Sequence, residues 1–273
     1  MFTTGKTVLI TGSTDGIGKQ TAKTLAEQGA HVLAHGRNAA NVQAAIKEIQ
    51  LEYPQTELAG FVADFSSLQA VRSLAEEIKA KEPTLQILIN NAGTYSQDFQ
   101  VSQDGFEITF AVNHLAPFLP TLLLLPTLKR NSPARIITVA STAHNVRDLD
   151  ISKINSPEFY KAWHAYKISK FANIMATYKL AERLKGSGVT VNCLHPGAVD
   201  TKMLRSAFPT TQGISIMEGV KSSIYLASSD AVAGISGAYF EDCKPVSSAP
   251  LTYDKELQKI LWKQCEEWVG LSR

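Results

Sequence analysis

"TVLITGSTDGIGKQ", residues 7–20, runs from a β-branched apolar stretch through a loop holding Gly12, Gly16 and Gly18 into a helical pattern. A short apolar run bounded by glycine reads as a buried strand. Glycines at this point let the backbone turn sharply and approach a pyrophosphate, whose charge is favoured by the helix N-terminus. The spacing is GxxxGxG rather than the GxGxxG of many dinucleotide sites. It is not a P-loop either: position 13, where that motif would begin, is serine, and Gln20 replaces the Mg²⁺-binding hydroxyl. In isolation the stretch would be an ordinary turn. Set directly between the first strand and the first helix, it predicts a nucleotide cradle built from Gly12, Ser13, Thr14, Asp15, Gly16, Ile17 and Gly18.

The same strand-then-helix alternation continues outward along the chain. Strand candidates are "TVLIT" (7–11), "HVLAHG" (31–36), "AGFVAD" (59–64), "LQILIN" (85–90), "ARIITVA" (134–140), "VTVNCL" (189–194) and "GAYF" (237–240). Between them, "KQTAKTLAEQG" and "LQAVRSLAEEIKA" carry the i, i+3, i+4 apolar recurrence of amphipathic helices. Continuously apolar strands alternating with helices predict an α/β fold: a Rossmann-type, doubly wound parallel sheet of about seven strands with helices on both faces. No linker, repeat or low-complexity segment interrupts the pattern, so residues 1–273 read as a single domain. Residues 1–100 are expected mainly to bind cofactor, and residues 101–273 to carry catalysis and substrate binding.

Composition removes other classes. Hydrophobic residues make up 44% and charged residues 19%, values of a globular chain with a sizeable core. A net charge of +2, with no run of five like charges, argues against nucleic acid as a partner. Cys193, Cys243 and Cys265 fit neither a disulfide framework nor a zinc site, which points to a reducing, cytoplasmic setting. The histidines show no metal-ligand spacing, so no metal is expected. The first apolar run begins at Val8, so neither a signal peptide nor an N-terminal anchor is expected. "LAPFLPTLLLLPTL" (115–128) is apolar, but it looks too short and too proline-interrupted to span a membrane, and reads as a core or interface helix.

In such a sheet ligands bind beyond the carboxyl ends of the strands, so the residues after each strand carry the chemistry. After the second strand comes "HGRN", with Arg37 and Asn38, and no Asp or Glu occurs from Gln28 through Lys47. An acid there would accept from ribose hydroxyls, whereas the planar fork of Arg37 suits a 2′-phosphate. NADP(H) is therefore preferred, with NAD(H) the second choice; Asp15 is the contrary sign, since a carboxylate would repel phosphate. Asp64 and Phe65 follow the third strand, where Asp64 could accept from an adenine amino group or cap the helix at "SSLQAV". "NNAG" (90–93) follows the fourth and offers Asn91, Ala92 and Gly93 near a ribose.

The catalytic candidates come later. Ser141 closes the fifth strand in "VASTAH", Asn113 precedes the apolar helix, and Tyr166 and Lys170 sit four apart in "AYKISK". On a helix that spacing puts them roughly 6 Å apart on one face. A nearby ammonium favours the phenolate; bringing a tyrosine from about 10 to about 7 requires roughly 4 kcal/mol. Each residue has an ordinary alternative: turn serine, capping asparagine, solvated lysine. Together, at the strand ends of one sheet, they point to an acid–base site.

Through "TGSTDGIG", "NNAG", Asn113, Ser141, "YKISK" and "HPG" (195–197), nearly the whole chain resembles the short-chain dehydrogenases/reductases. "NHLAPF", "STAH", "SKFANI" and "GVTVNCLHPGAVDT" make it most similar to the retinol dehydrogenase-like branch. The resemblance implies hydride transfer between the cofactor and an alcohol or carbonyl substrate, with Tyr166 as acid/base. It implies that Lys170 lowers the tyrosine's pKa and binds the nicotinamide ribose, that Ser141 orients substrate, and that Asn113 supports a water chain to Lys170. It further assigns Pro196, Gly197 and Thr201 to the border of the nicotinamide carboxamide, with Val199 among the cofactor contacts. Ala140 stands where many relatives carry a second serine.

A redox-inert NADP(H)-binding module is the alternative; an epimerase or dehydratase would need a larger C-terminal region. Substrate walls are expected in residues 202–216 and 144–164, with Phe159, Tyr160 and Trp163 available to cover a lipophilic substrate. In the C-terminal "KELQKILWKQCEEWVG", Leu257, Ile260, Leu261, Cys265, Trp268 and Val269 form a stripe expected to dock onto the domain. A homo-oligomer is compatible with the pattern.

Overall fold

A computed structural model describes residues 2–272. Its strands are β1 (Thr7–Ile10), β2 (His31–Gly36), β3 (Leu58–Val62), β4 (Leu85–Asn90), β5 (Ala134–Val139), β6 (Val189–His195), β7 (Tyr239–Glu241) and β8 (Lys244–Val246). They form one sheet in the order β3-β2-β1-β4-β5-β6-β7-β8. All neighbours are parallel except β7 and β8. The expected strands are present; β8 is the addition. It turns back from β7 through Asp242 and Cys243, both at positive φ (46° and 62°). Such a two-residue reversal normally announces itself by Asn-Gly or Asp-Gly, and Asp-Cys carries no such signal.

The helices are α1 (Gly16–Glu27), α2 (Ala39–Glu52), α3 (Leu68–Lys81), α4 (Ile108–Phe110), α5 (Ala116–Arg130), α6 (Ala162–Arg183), α7 (Lys202–Ala207), α8 (Ile216–Gly219), α9 (Lys221–Ser228) and α10 (Lys255–Trp268). Successive strand residues face opposite sides, and β1 shows the consequence. Val8 and Ile10 join Ala22, Leu25, Ile49 and Leu226 on the face of α1, α2 and α9. Leu9 joins Leu74, Leu119, Phe171 and Leu261 on the face of α3, α5, α6 and α10.

The apolar stretch is longer than its sequence suggested. With α4 and a π turn at Ala111–Leu115, α5 belongs to one helical run, Ile108–Arg130. By length and composition that run could cross a membrane, yet 72% of its apolar window is buried inside the fold, as in a core helix. Pro120 and Pro126 are accommodated within α5. The C-terminal helix docks onto α6 as expected, but Ile260 is 55% exposed, and Trp262 takes the buried position instead.

Candidate active site

The chain returns from β3 to place β4 beside β1, so the strand order reverses between β1 and β4. Crevices for ligands open at such a switch point, beyond the strands' carboxyl ends. Here the glycine loop after β1 meets "NNAG" after β4. Asn91 Nδ2 donates to the carbonyls of Thr11 (2.9 Å) and Gly12 (3.0 Å). The Thr11 hydroxyl accepts from the amides of Asn91 and Ala92. Gly12, at φ +65°, lies so close to Ala92 that a Cβ would sit 2.8 Å from Ala92 Cα. A Cβ on Gly18 would collide with the Gly12 carbonyl and the Asn91 amide. Asp15 caps α1 by accepting from Gly16 N–H at 2.9 Å, and the amides of Ile17 and Gly18 belong to the helix's unpaired first turn. Ser13 is bound on both sides: its amide donates to the His35 carbonyl, and its hydroxyl accepts from His35 N–H. Thr14 is part-buried beside it.

Asp15 does not stand alone as an anionic obstacle. Lys202 at the start of α7 pairs with it at 2.7 Å and, by that hydrogen bond, holds its carboxyl below the usual range. Arg37 and Asn38 are exposed at the end of β2. Asn38 caps α2 through Asn41 N–H, while Arg37 makes no ion pair among the described residues. Asp64 is exposed and accepts from Ser66 N–H at 2.9 Å. It does not cap α3; Ser67 does, three residues later, because its hydroxyl reaches Ala70 N–H. Phe65 is buried, with its ring 4.6 Å from that of His35.

His35 gave no signal in the sequence. It is 2% exposed. Its Nε2 bonds the Ala63 carbonyl at 3.2 Å, and its Nδ1 accepts from Gly12 N–H at 3.2 Å. The imidazole thus props the glycine loop from below, and burial pushes its pKa down to about 4. His114 is buried likewise and also pushed to about 4. Both take up protons in the unfolded chain before the folded one, so their stability is complete above pH 6.5 and lost as pH falls toward 4. We expect urea-unfolding free energy to drop on the order of 2 kcal/mol per histidine by pH 5. A stability profile flat from pH 7 to 5 would contradict this.

On the catalytic side, Ser141 follows β5, 9% exposed, and its hydroxyl accepts from Ala143 N–H. Its carbonyl accepts from His144 Nδ1 at 2.6 Å, while His144 Nε2 accepts from Ala249 N–H at 2.9 Å. His144 therefore fixes Ser141 to the C-terminal segment, a connection that "STAH" alone did not reveal. Lys170, 5% exposed, donates to the Val139 carbonyl at 2.9 Å and sits 5.6 Å from the Tyr166 ring centre. Gly93 lies beside both Lys170 and Asn113: a Cβ there would be 3.4 Å from Asn113 Oδ1 and 3.8 Å from Lys170 Nζ. Asn113 occupies the π turn, where its side chain accepts from Thr94 N–H and donates to the Thr94 carbonyl and the Ser169 hydroxyl. π turns are concentrated at functional sites.

The electrostatics differ from expectation. Burial pushes Tyr166 up to about 12, opposed by hydrogen bonding to Ser141. Burial also pushes Lys170 down to about 8. Lys170 aims its ammonium at the Val139 carbonyl and is itself disfavoured as a cation, so these two side chains alone do not bring the phenol to neutral pH.

The loop after β6 closes the cleft. Gly197 has φ +90°, a conformation that favours glycine, and a Cβ there would press on the end of the Ile214 side chain. Thr201 caps α7, and its Cγ2 lies 3.3 Å from where a Gly16 Cβ would be. Pro196 is part-buried at the strand end, but Val199 is 4% exposed and faces Gly219 of α8, within the base of the loop. Around Tyr166 stand Trp163, stacked at 5.9 Å, and Tyr95 at 5.7 Å, with Phe208 against both at 5.3 and 5.4 Å. Of the three wall aromatics expected, only Trp163 reaches this group. Phe159 lies under Lys153, and Tyr160 donates to the Ser96 carbonyl and packs on Phe99.

Comparison with known proteins agrees with this geometry. The sequence model of the short chain dehydrogenase family matches residues 6–212. The chain is 39% identical to human retinol dehydrogenase 14, over 98% of its own length and 87% of that protein's. It is 40% identical to human retinol dehydrogenase 13, over 98% and 85%. Among solved structures, an uncharacterized protein from Mycobacterium paratuberculosis superposes with a TM-score of 0.82 at 28% identity, covering 98% of this chain and 94% of that one. A protein from Escherichia coli CFT073, assigned as a short chain dehydrogenase and crystallised with NADPH, gives 0.74 at 25% identity, covering 89% and 98%. With the glycine cradle, the reversed strand order and the Ser141–Tyr166–Lys170 grouping, these matches place the chain in the short-chain dehydrogenase family, within its retinol dehydrogenase-like branch, as an oxidoreductase of alcohol and carbonyl groups.

Proposed function

We propose that the protein transfers a hydride between NADP(H) and a lipophilic alcohol, aldehyde or ketone, with Tyr166 as the acid/base. The observation that carries this reading is that Lys170 Nζ and Asn113 Oδ1 converge on Gly93, directly across the switch point from the glycine cradle. The cradle fits a dinucleotide: Gly12 and Gly18 leave no room for side chains, and the first turn of α1 offers unpaired amides to a phosphate. Residues 1–100 would hold most of the nucleotide, through residues 12–18, Arg37, Asn38, Asp64, Phe65 and Asn91 to Gly93. Lys170, Pro196, Gly197 and Thr201 would complete the site, with Val199 supporting the loop from behind.

When bound, the nicotinamide supplies or accepts the hydride at the carbinol carbon and, in its oxidised form, adds a positive charge beside the phenol. In reduction, the neutral phenol of Tyr166 is a proton donor to the substrate oxygen, which becomes far more basic as it gains alkoxide character. Its elevated pKa leaves it fully protonated for that task. In oxidation the phenol must lose its proton, and Lys170 stabilises the phenolate. Ser141, held by His144, offers its hydroxyl to the same substrate oxygen. Tyr95, Trp163 and Phe208 supply the apolar wall that favours a lipophilic substrate. Three thiols without disulfide partners support a cytoplasmic location.

Choice of cofactor rests on Arg37, whose exposed guanidinium can pair bidentately with a 2′-phosphate. Titration followed by nicotinamide fluorescence should show NADPH binding more tightly than NADH. Arg37→Ala should weaken NADPH roughly tenfold to hundredfold, the loss of a charge-assisted pair, and leave NADH nearly unchanged. Equal binding of the two cofactors by the wild type would remove the case for NADP(H).

A further inference from the structure

The π turn Ala111–Leu115 carries two consecutive buried polar side chains, Asn113 and His114. Asn113 is 1% and His114 2% exposed, in a run whose neighbours Phe110, Leu115 and Ala116 are buried as well, so both polar side chains must find partners inside the protein. Asn113 joins Thr94 to Ser169, and Ser169 in turn donates to the Tyr166 carbonyl at 2.8 Å. It thereby clamps the segment after β4 to the helix that carries Tyr166 and Lys170.

What holds Asn113 is on the next layer. Four residues ahead stands Pro117, which has no N–H to give the Asn113 carbonyl. Asn173 Nδ2 donates to that carbonyl instead, at 3.0 Å. Asn173 Oδ1 can then only accept, so its 2.8 Å contact makes His114 Nδ1 the protonated nitrogen. Nε2 is left as an acceptor and faces Cys265 Sγ of α10 at 3.3 Å, so the thiol donates. The chain Cys265, His114, Asn173, Asn113 has one direction only, since reversing the Asn173 amide would set two acceptors face to face. None of the four is more than 4% exposed.

Resting on the hydride-transfer reading above, we propose that Asn173 and His114 are positioning residues: they fix the freed carbonyl of Asn113, and Cys265 ties that fixation to the C-terminal helix. A slip of the π turn would shift Gly93 and Thr94 against Lys170 and Tyr166. Displacement by about 1 Å from a distant change can cost on the order of a hundredfold in rate.

Asn173→Leu keeps the approximate volume and removes both of these hydrogen bonds. In the full chain, kcat for NADPH-dependent aldehyde reduction should fall roughly tenfold to hundredfold, while the NADPH Kd stays within about twofold. Ile174→Val, at the next and equally buried position, removes a methyl group but no hydrogen bond; it should lower the thermal midpoint and leave kcat in place. If Asn173→Leu does not fold, Cys265 reads the far end: Cys265→Ala, which loses the donor, should have a severalfold lower kcat than Cys265→Ser, which keeps one. Unchanged kcat in Asn173→Leu, a parallel loss of NADPH binding, or, where that variant does not fold, equal kcat in the two Cys265 variants overturns the proposal. A wild type that binds NADPH but reduces no aldehyde overturns the hydride-transfer reading instead.

Discussion

Replacing Tyr166 by phenylalanine should reduce kcat by about 10²–10⁴-fold, the contribution of a positioned general acid or base. The change deletes one oxygen and keeps the ring that stacks on Trp163 and meets Tyr95. Fold and cofactor affinity should therefore survive, and the loss should appear in turnover alone. Steady-state kinetics beside an NADPH titration separate the two. Turnover of Tyr166→Phe at the wild-type rate would remove the phenol from the mechanism, whatever the rest of the site does.

The second large effect is expected at Gly18. Its missing side chain is where the Gly12 carbonyl and the Asn91 amide meet, so even a methyl group drives into backbone. Gly18→Ala should part the glycine loop from "NNAG". Overpacking of this kind costs about 1–3 kcal/mol of stability. NADPH affinity should fall by more than about a hundredfold, because the amides of the α1 turn lose their placement. Thermal melting and the same fluorescence titration would show both. Wild-type affinity in Gly18→Ala would mean that the cofactor does not use this loop.

These two residues also show where sequence was legible. Gly18 could be read because its role is local: a strand, a glycine-rich turn and a helix adjoin in the chain, and the collision follows from that geometry. Tyr166 and Lys170 could be read because helical spacing alone brings them together. Much of the fold was equally local, since β1, β2, β4 and β5 are short, largely apolar strands buried along nearly their whole length.

Contacts that span the chain were another matter. His35 supports Gly12 across 23 residues, and His144 meets Ala249 across 105. Neither shows a ligand-like or catalytic spacing, because each histidine acts on backbone. The π turn was hidden for a related reason: it inserts a residue into a helical register that pattern reading assumes to be constant. Aromatic neighbours of the site followed the same divide. Trp163 precedes Tyr166 by three residues and could be placed, whereas Tyr95 and Phe208 arrive from separate loops. Phe159 and Tyr160 are near in sequence but are turned away by the short helical turn at Pro157–Phe159. The Asp15–Lys202 pair belongs here too; seen in sequence, Asp15 was an objection to NADP(H), and only the folded loop after β6 brings its counter-charge.

Hydride transfer to a carbonyl carbon can be read directly from the product. The most direct measurement is to supply NADPH carrying deuterium at both C4 positions of the nicotinamide, together with a panel of long-chain and conjugated aldehydes, and to weigh the products by mass spectrometry. Hydride transfer predicts an alcohol bearing one deuterium on its carbinol carbon, formed by the wild type and nearly absent with Tyr166→Phe. Tight cofactor binding with every aldehyde returned unlabelled and unreduced would contradict it.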